Sequence, residues 1–245
     1  MRQEPLVPYP YWRMQRGSHV PLPAAGVLTS VFPVWRRSVK ITRLEELSRS
    51  RSRVYIEQEF AFVLYKSELR SYHICEGEEL EQSDYDEIIN NVLPKRAKLR
   101  AMNLLKNREY TVKQLYDKLK EGCYPECIIE QALDYVASYH YTDDLRYAET
   151  YISDHEGTRS RRRIEQDLMG KGIDRATLEE AWQQWEQRGG VQNEEAMVRQ
   201  LLDKRHYDPE TADLKEQKKV FGFLMRKGFS PEVIRRALRT DDFYE

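Results

Sequence analysis

One apolar pattern occurs three times in the second half of this 245-residue chain, and it restricts the fold more than any other feature. Leu115-x-x-x-Leu119, Ile164-x-x-x-Leu168 and Val220-x-x-x-Leu224 set a common register. In that register Tyr124, Ile173 and Phe229 coincide, then Ile129, Leu178 and Ile234, then the pairs Ala132-Leu133, Ala181-Trp182 and Ala237-Leu238. The copies are offset by 49 and then 56 residues. Self-similarity at such a period marks stacked supersecondary units and argues against one catalytic barrel or sheet. Arrays of this kind present a long surface to an extended partner, so binding is expected rather than chemistry.

The residues between the apolar positions divide each copy into three helices. Thr111-x-x-Gln114 is a capping box that opens a helix, and Ser160 stands at the equivalent place in the second copy. The turn that follows holds Cys123, Gly172 or Gly228, where glycine suits a left-handed helix C-cap. Asp174 and Ser230 cap the third helix, with Pro231 at its first position and Pro125 in the same turn of the first copy. Gly189-Gly190 separates the second copy from the third, and a segment around His206 to Glu210 lengthens the third. The fold class expected is mainly α, with three tandem three-helix repeats in an elongated array over residues 95–139, 140–188 and 193–240.

Ahead of the array, residues 34–94 read as a small β-hairpin module with a linking helix. Val39-Lys40-Ile41-Thr42 and Val54-Tyr55-Ile56-Glu57 alternate, and Phe60 to Tyr65 is a β-rich run, with Glu57-Gln58-Glu59 as the turn between the last two. A helix is expected from about Ser83, with Pro94 stopping it. Residues 1–33, rich in proline and aromatics, show no period. They are expected to be disordered or an artefact of start-site assignment.

Charge sets limits on the partner. Lys+Arg and Asp+Glu number 40 and 41, so any nucleic-acid contact must come from local patches rather than a global basic excess. A mean hydropathy of −0.79 suits helical modules with solvated faces. No apolar run is long enough to span a membrane and the first residues lack the core of a secretory signal, so the expected location is cytoplasmic. Three cysteines argue against a disulfide framework. Cys123-x-x-x-Cys127 with His140, and His73-x-Cys75, fall short of a tetrahedral ligand pattern, and no nucleophile–base constellation or phosphate loop stands out. Neither metal, cofactor nor small-molecule substrate is expected, and no residue is assigned as catalytic.

Tyr139-His140-Tyr141-Thr142-Asp143-Asp144-Leu145-Arg146-Tyr147-Ala148-Glu149-Thr150-Tyr151 resembles the most specific block of the RecX family, bacterial regulators of the RecA recombinase. The basic stretch Arg159 to Leu168 and Gly170-Lys171-Gly172-Ile173 resembles a second family block, and Val54 to Phe62 an N-terminal extension found in some members. His140 stands in place of the family's usual glycine, Thr142 in place of a large apolar residue, and Cys123 in place of a glycine. The resemblance covers residues 38 to 239. It implies a non-enzymatic protein that lies along the RecA–DNA filament and modulates, above all inhibits, its ATPase and strand exchange in DNA repair.

Asp143-Asp144 suits a helix N-terminus better than a metal site, because carboxylates there meet the positive end of the helix dipole. Tyr141, Tyr147 and Tyr151 could stack on bases, but their spacing favours packing between repeats. Lys113, Arg162 and Lys218 share one register in the first turns of the middle helices, and Arg159, Arg161 and Arg163 extend it. A cation near a helix start opposes the dipole, so contact with DNA phosphate or an acidic partner is the expected reward. Lys171, Arg235, Arg236 and Arg239 complete the candidate partner surface, with Arg146 in the structural block. The rival reading, a tandem helix-turn-helix DNA binder, meets acidic last helices in the first two repeats: Glu126, Glu130 and Asp134, then Asp174, Glu179, Glu180 and Glu186.

Overall fold

The structure, a computed structural model, describes residues 38–208 and 211–238; residues 1–37, which include the N-terminal extension, Pro209-Glu210 and residues 239–245, which include Arg239, lie outside the described residues. Four strands form an antiparallel sheet in the order β3-β2-β1-β4: β1 (Ser38–Ser48), β2 (Arg51–Ile56), β3 (Glu59–Tyr65) and β4 (Glu79–Glu81). Alternation along the strands buries Val39 and Ile41, Val54 and Ile56, Phe62 and Leu64. Register shifts at Ile41/Arg43, Glu46/Ser48 and Val54/Tyr55 add bulges that deepen the twist and curl the sheet.

The hairpin turn contracts to Glu57-Gln58, with Glu59 already in β3. Both turn residues are left-handed, φ 51° and 72°, which matches the twist of the flanking strands but usually calls for Asn or Gly. The neighbouring strand supplies the compensation: Glu57 N–H donates to Lys40 O at 3.3 Å, and Gln58 N–H to Thr42 Oγ1 at 2.9 Å.

Helix α1 (Lys66–Ser71) follows β3, and α2 (Gln82–Glu87) follows β4. Pro94 does not stop this helix as expected. Helix α2 continues through a π-helical turn, Ile88–Val92, into α3 (Leu93–Asn107), with the proline in the first turn of α3. The Leu93 N–H donates to Ile88 O, five residues back. The widened turn relieves the clash of the proline ring with the carbonyl four residues earlier, and a helix start tolerates its missing N–H.

Three repeats of three helices follow. They are α3, α4 (Val112–Glu121) and α5 (Glu126–Ser138); α6 (Asp144–His155), α7 (Arg161–Gly170) and α8 (Arg175–Gln187); and α9 (Glu194–Asp203), α10 (Leu214–Arg226) and α11 (Pro231–Leu238). In each, the first and third helices pack together and the shared apolar register forms the core: Leu115, Leu119, Ile129 and Ala132, then Ile164, Leu168, Leu178 and Ala181, then Val220, Leu224, Ile234 and Ala237 are all buried. The turns after the middle helices are left-handed at Cys123 (φ 60°), Gly172 (φ 92°) and Gly228 (φ 93°). The next amide folds back in two of them, Ile173 onto Leu168 O and Phe229 onto Leu224 O, as a Schellman cap requires. Helix α10 starts three residues early in the register, capped by Asp213, so Glu216 occupies the position of Thr111 and Ser160.

Among the described residues no helix is long and apolar enough to cross a membrane, and no group of three His, Cys, Asp or Glu side chains could hold a metal ion.

Candidate partner-binding surface

Two joints hold the repeats in sequence, and they are built the same way. Thr111 and Ser160 cap α4 and α7, accepting from Gln114 N–H and Arg163 N–H, and both are fully buried. Each hydroxyl donates its own proton to the next repeat: Thr111 Oγ1 to Lys171 O at 2.6 Å, and Ser160 Oγ to Lys227 O at 3.0 Å. Those carbonyls are orphans at the C-termini of α7 and α10, so one side chain satisfies two helix ends at once. A second bond repeats as well. Val112 N–H, at the start of α4, donates to Asp144 Oδ1 at 2.9 Å, and Arg161 N–H, at the start of α7, donates to Glu194 Oε1 at 2.7 Å. Asp144 and Glu194 are the first residues of α6 and α9.

The glycines complete the joints. A Cβ on Gly172 would stand 2.2 Å from Lys113 Cβ, and one on Gly228 would stand 2.5 Å from Ser160 Oγ and 3.3 Å from Arg163 N. Close backbone approach, added to positive φ, is what only glycine permits here. The first repeat has Cys123 at this position instead, and His140 is another left-handed non-glycine (φ 55°) at a second departure from the family pattern.

The joint gives Asp144 a role beyond the helix start. Asp143 is the N-cap of α6, accepting from Arg146 N–H at 3.0 Å, while Asp144 reaches across to α4. Burial raises the Asp144 carboxyl above its ordinary pKa, with Asp143 and Asp174 adding to the rise and the Val112 N–H opposing it. Arg146 pairs with Glu109 at 3.5 Å.

The basic candidates divide into tied and untied. Lys113 Nζ contacts both oxygens of Asp117 at 2.5 and 2.6 Å. Arg161 reaches Glu165 at 3.2 Å and Glu186 at 2.9 Å, and its guanidinium lies 4.4 Å from the Trp182 ring centroid. Arg159 and Arg163 share Asp167, at 2.6 and 3.2 Å, and Arg159 also contacts Tyr151 Oη at 2.6 Å. The premise that nothing local rewards a cation at these helix starts therefore fails for Lys113, Arg161 and Arg163, whose own carboxylates sit four residues on. Arg162 and Lys218 differ: both are exposed, and neither has an ion-pair partner among the described residues. Lys218 also lies in the second turn of α10 because that helix starts early. Lys171 spreads over the Tyr147 and Tyr151 rings at 6.0 and 5.4 Å. Arg236 is exposed and Arg235 half-buried on α11. Both help hold the Glu232 carboxyl below its ordinary range, after its own N–H and the Ser230 hydroxyl.

Tyr147 and Tyr151 pack within the second repeat rather than between repeats. Tyr147, Tyr151 and His155 stack in a column along α6, centroids 6.4 and 4.1 Å apart, against the core of the second repeat. Tyr141 is half exposed and stacks on Tyr139 at 5.8 Å. The second bonds of Thr111 and Ser160, and the neutralising roles of Asp117 and Asp167, escaped the sequence reading. The i,i+4 spacing of Lys113 and Asp117, and of Arg163 and Asp167, is a signal that reveals the latter.

Fold and joints together define a tandem array of three-helix domains in which successive middle helices are tied end to end. Family models of the first, second and third three-helix domains of RecX match residues 97–135, 143–181 and 193–238, and the chain belongs to the RecX family. It is similar to the protein named Regulatory protein RecX of Caldanaerobacter subterraneus subsp. tengcongensis, 30% identical over 200 residues that cover 81% of this chain and 98% of that one. The protein of that name from Clostridioides difficile is 28% identical over 203 residues, covering 81% and 93%. A crystal structure described as regulatory protein RecX aligns with a TM-score of 0.55 at 24% identity over 83% of this chain and all of the other, a likeness of fold.

Proposed function

We propose that this chain is a regulatory binding protein rather than an enzyme, and that its target is a RecA-type recombinase filament on DNA. It occupies the filament groove, bridges adjacent protomers and inhibits ATPase and strand exchange. The membership in the RecX family and the regulatory names of the relatives support the class of role. The observation that carries the mode of contact is the pair Arg162 and Lys218, exposed and unpaired in the same register of successive repeats. Cations so placed suit a periodic polyanion, and they contact DNA phosphate. Direct reading of DNA by helix-turn-helix units is disfavoured, because Glu130 and Asp134 are exposed on α5, as are Glu179 and Glu180 on α8, where phosphate would repel them.

The test is RecA ATPase on single-stranded DNA with and without this protein, beside its binding to the same DNA alone. Inhibition at concentrations too low to coat bare DNA is the expected result; bare-DNA binding that accounts for the whole effect returns the rival reading. Arg162→Glu with Lys218→Glu should weaken filament binding about tenfold or more while the protein stays folded, since neither side chain supports a neighbour.

A further inference from the structure

Beside the joint between the second and third repeats lies an open cleft of about 690 Å³. Leu201, Phe223 and Phe229 line its apolar side, and Arg159, Arg163, Arg226 and Lys227 surround it. A fifth cation, Arg205, has its guanidinium 3.8 Å from the Phe223 ring centroid, and Lys227 Nζ lies 5.7 Å from the same ring. Asp167 takes Arg159 and Arg163, but among the described residues no carboxylate pairs with Arg205, Arg226 or Lys227. Like charges gathered over apolar walls raise the local positive potential, which favours a bound anion.

The repeat register supplies an internal control. At the preceding joint the positions of Arg159, Arg163, Phe223 and Arg226 are held by Tyr110, Gln114, Asp167 and Gly170. Lys171 matches Lys227, and each lies over aromatic rings, so one cation recurs while the three arginines do not. The cation cluster is thus a property of this one joint and not of the architecture.

We propose that the cleft is a phosphate-binding site, taking either the phosphodiesters of a nucleic-acid strand or a free polyphosphate. Three of the four lining cations are arginines, whose planar forks match phosphate oxygens. Several charges in so small a space suit closely spaced phosphates better than the one carboxylate per residue of an acidic peptide. The proposal stands on the cleft alone and needs no recombinase, so it can fail or survive apart from the filament reading.

The experiment titrates the full chain with a labelled oligothymidylate and, separately, with inorganic tripolyphosphate, across a range of salt. The variant is Arg226→Gln with Lys227→Gln; both side chains are exposed, and Lys227 serves the joint only through its backbone carbonyl. Arg226→Gln alone serves if the double variant misfolds. The oligonucleotide's log-affinity slope against log salt should fall by roughly one to one and a half in the double variant, and tripolyphosphate affinity should fall about tenfold or more. Loss of the first effect alone assigns the site to free polyphosphate, and loss of the second alone to nucleic acid. Both probes bound equally by variant and parent, or variant-sensitive binding of an oligoglutamate peptide only, overturns the proposal.

Discussion

At the joint between the first two repeats, Thr111 reaches Lys171 O and Val112 N–H reaches Asp144; at the next joint, Ser160 reaches Lys227 O and Arg161 N–H reaches Glu194. The bonds correspond one for one, and a left-handed glycine packs against each. The surfaces beside them do not correspond. Tyrosine, glutamine, aspartate and glycine hold at the first the positions that two arginines, a phenylalanine and a third arginine hold along the cleft at the second. The geometry of the array is set by backbone groups and short buried side chains, which leave long side chains free to give each joint its own chemistry. One can therefore be altered without the other.

The sharpest way to break the equivalence of the joints is at the glycines. Gly172→Ala and Gly228→Ala should each lower unfolding free energy by about 3 kcal/mol, combining left-handed strain with overpacking. Urea denaturation of the two variants measures this, and a loss below about 1 kcal/mol at either would mean that its joint yields easily. A smaller loss tests the hydroxyls. Thr111→Val and Ser160→Ala each strand a buried carbonyl and remove a helix cap, costing about 1–3 kcal/mol. Similar values sharpen the comparison; a silent Ser160→Ala would leave the first joint alone in needing its hydroxyl.

The smallest effect concerns pH and belongs to the first joint. Because burial raises the folded pKa of Asp144, the unfolded chain loses this proton first as pH climbs. The contribution of Asp144 to stability is therefore full below the ordinary carboxylate range. It declines as pH rises toward the raised folded value, and is level beyond. Asp144→Asn keeps an Oδ1 acceptor for Val112 and removes the titration, so melting temperature against pH should decline less steeply than in the parent. Superimposable profiles would remove Asp144 from any pH response of the joint.

The helices were legible because their signals act within one turn. The apolar spacing, the Thr111 capping box, Asp143 before α6 and the glycines after α7 and α10 each concern residues a few positions apart, and all take the expected places. The candidate surface was legible only in part. Arginines are visible in a sequence, but whether each is free depends on what faces it: Arg161 meets Glu186 from another helix, and Arg162, its neighbour, meets nothing of opposite charge among the described residues. Pro94 misled for a related reason. Its effect depends on whether the preceding turn can widen, and here the π turn does so.

By itself, then, the sequence determined the repeat, its three helices, the caps of α4, α6, α7 and α8 and the identity of the core, since period and capping chemistry are short-range. The tertiary structure alone decided how one repeat meets the next and where charge collects. Thr111 and Lys171 are 60 residues apart, Ser160 and Lys227 are 67 apart, and Arg159 meets Arg226 across a cleft that exists only once two repeats have docked. Contacts at that distance depend on the folded backbone bringing the helix ends together, and no local pattern encodes them.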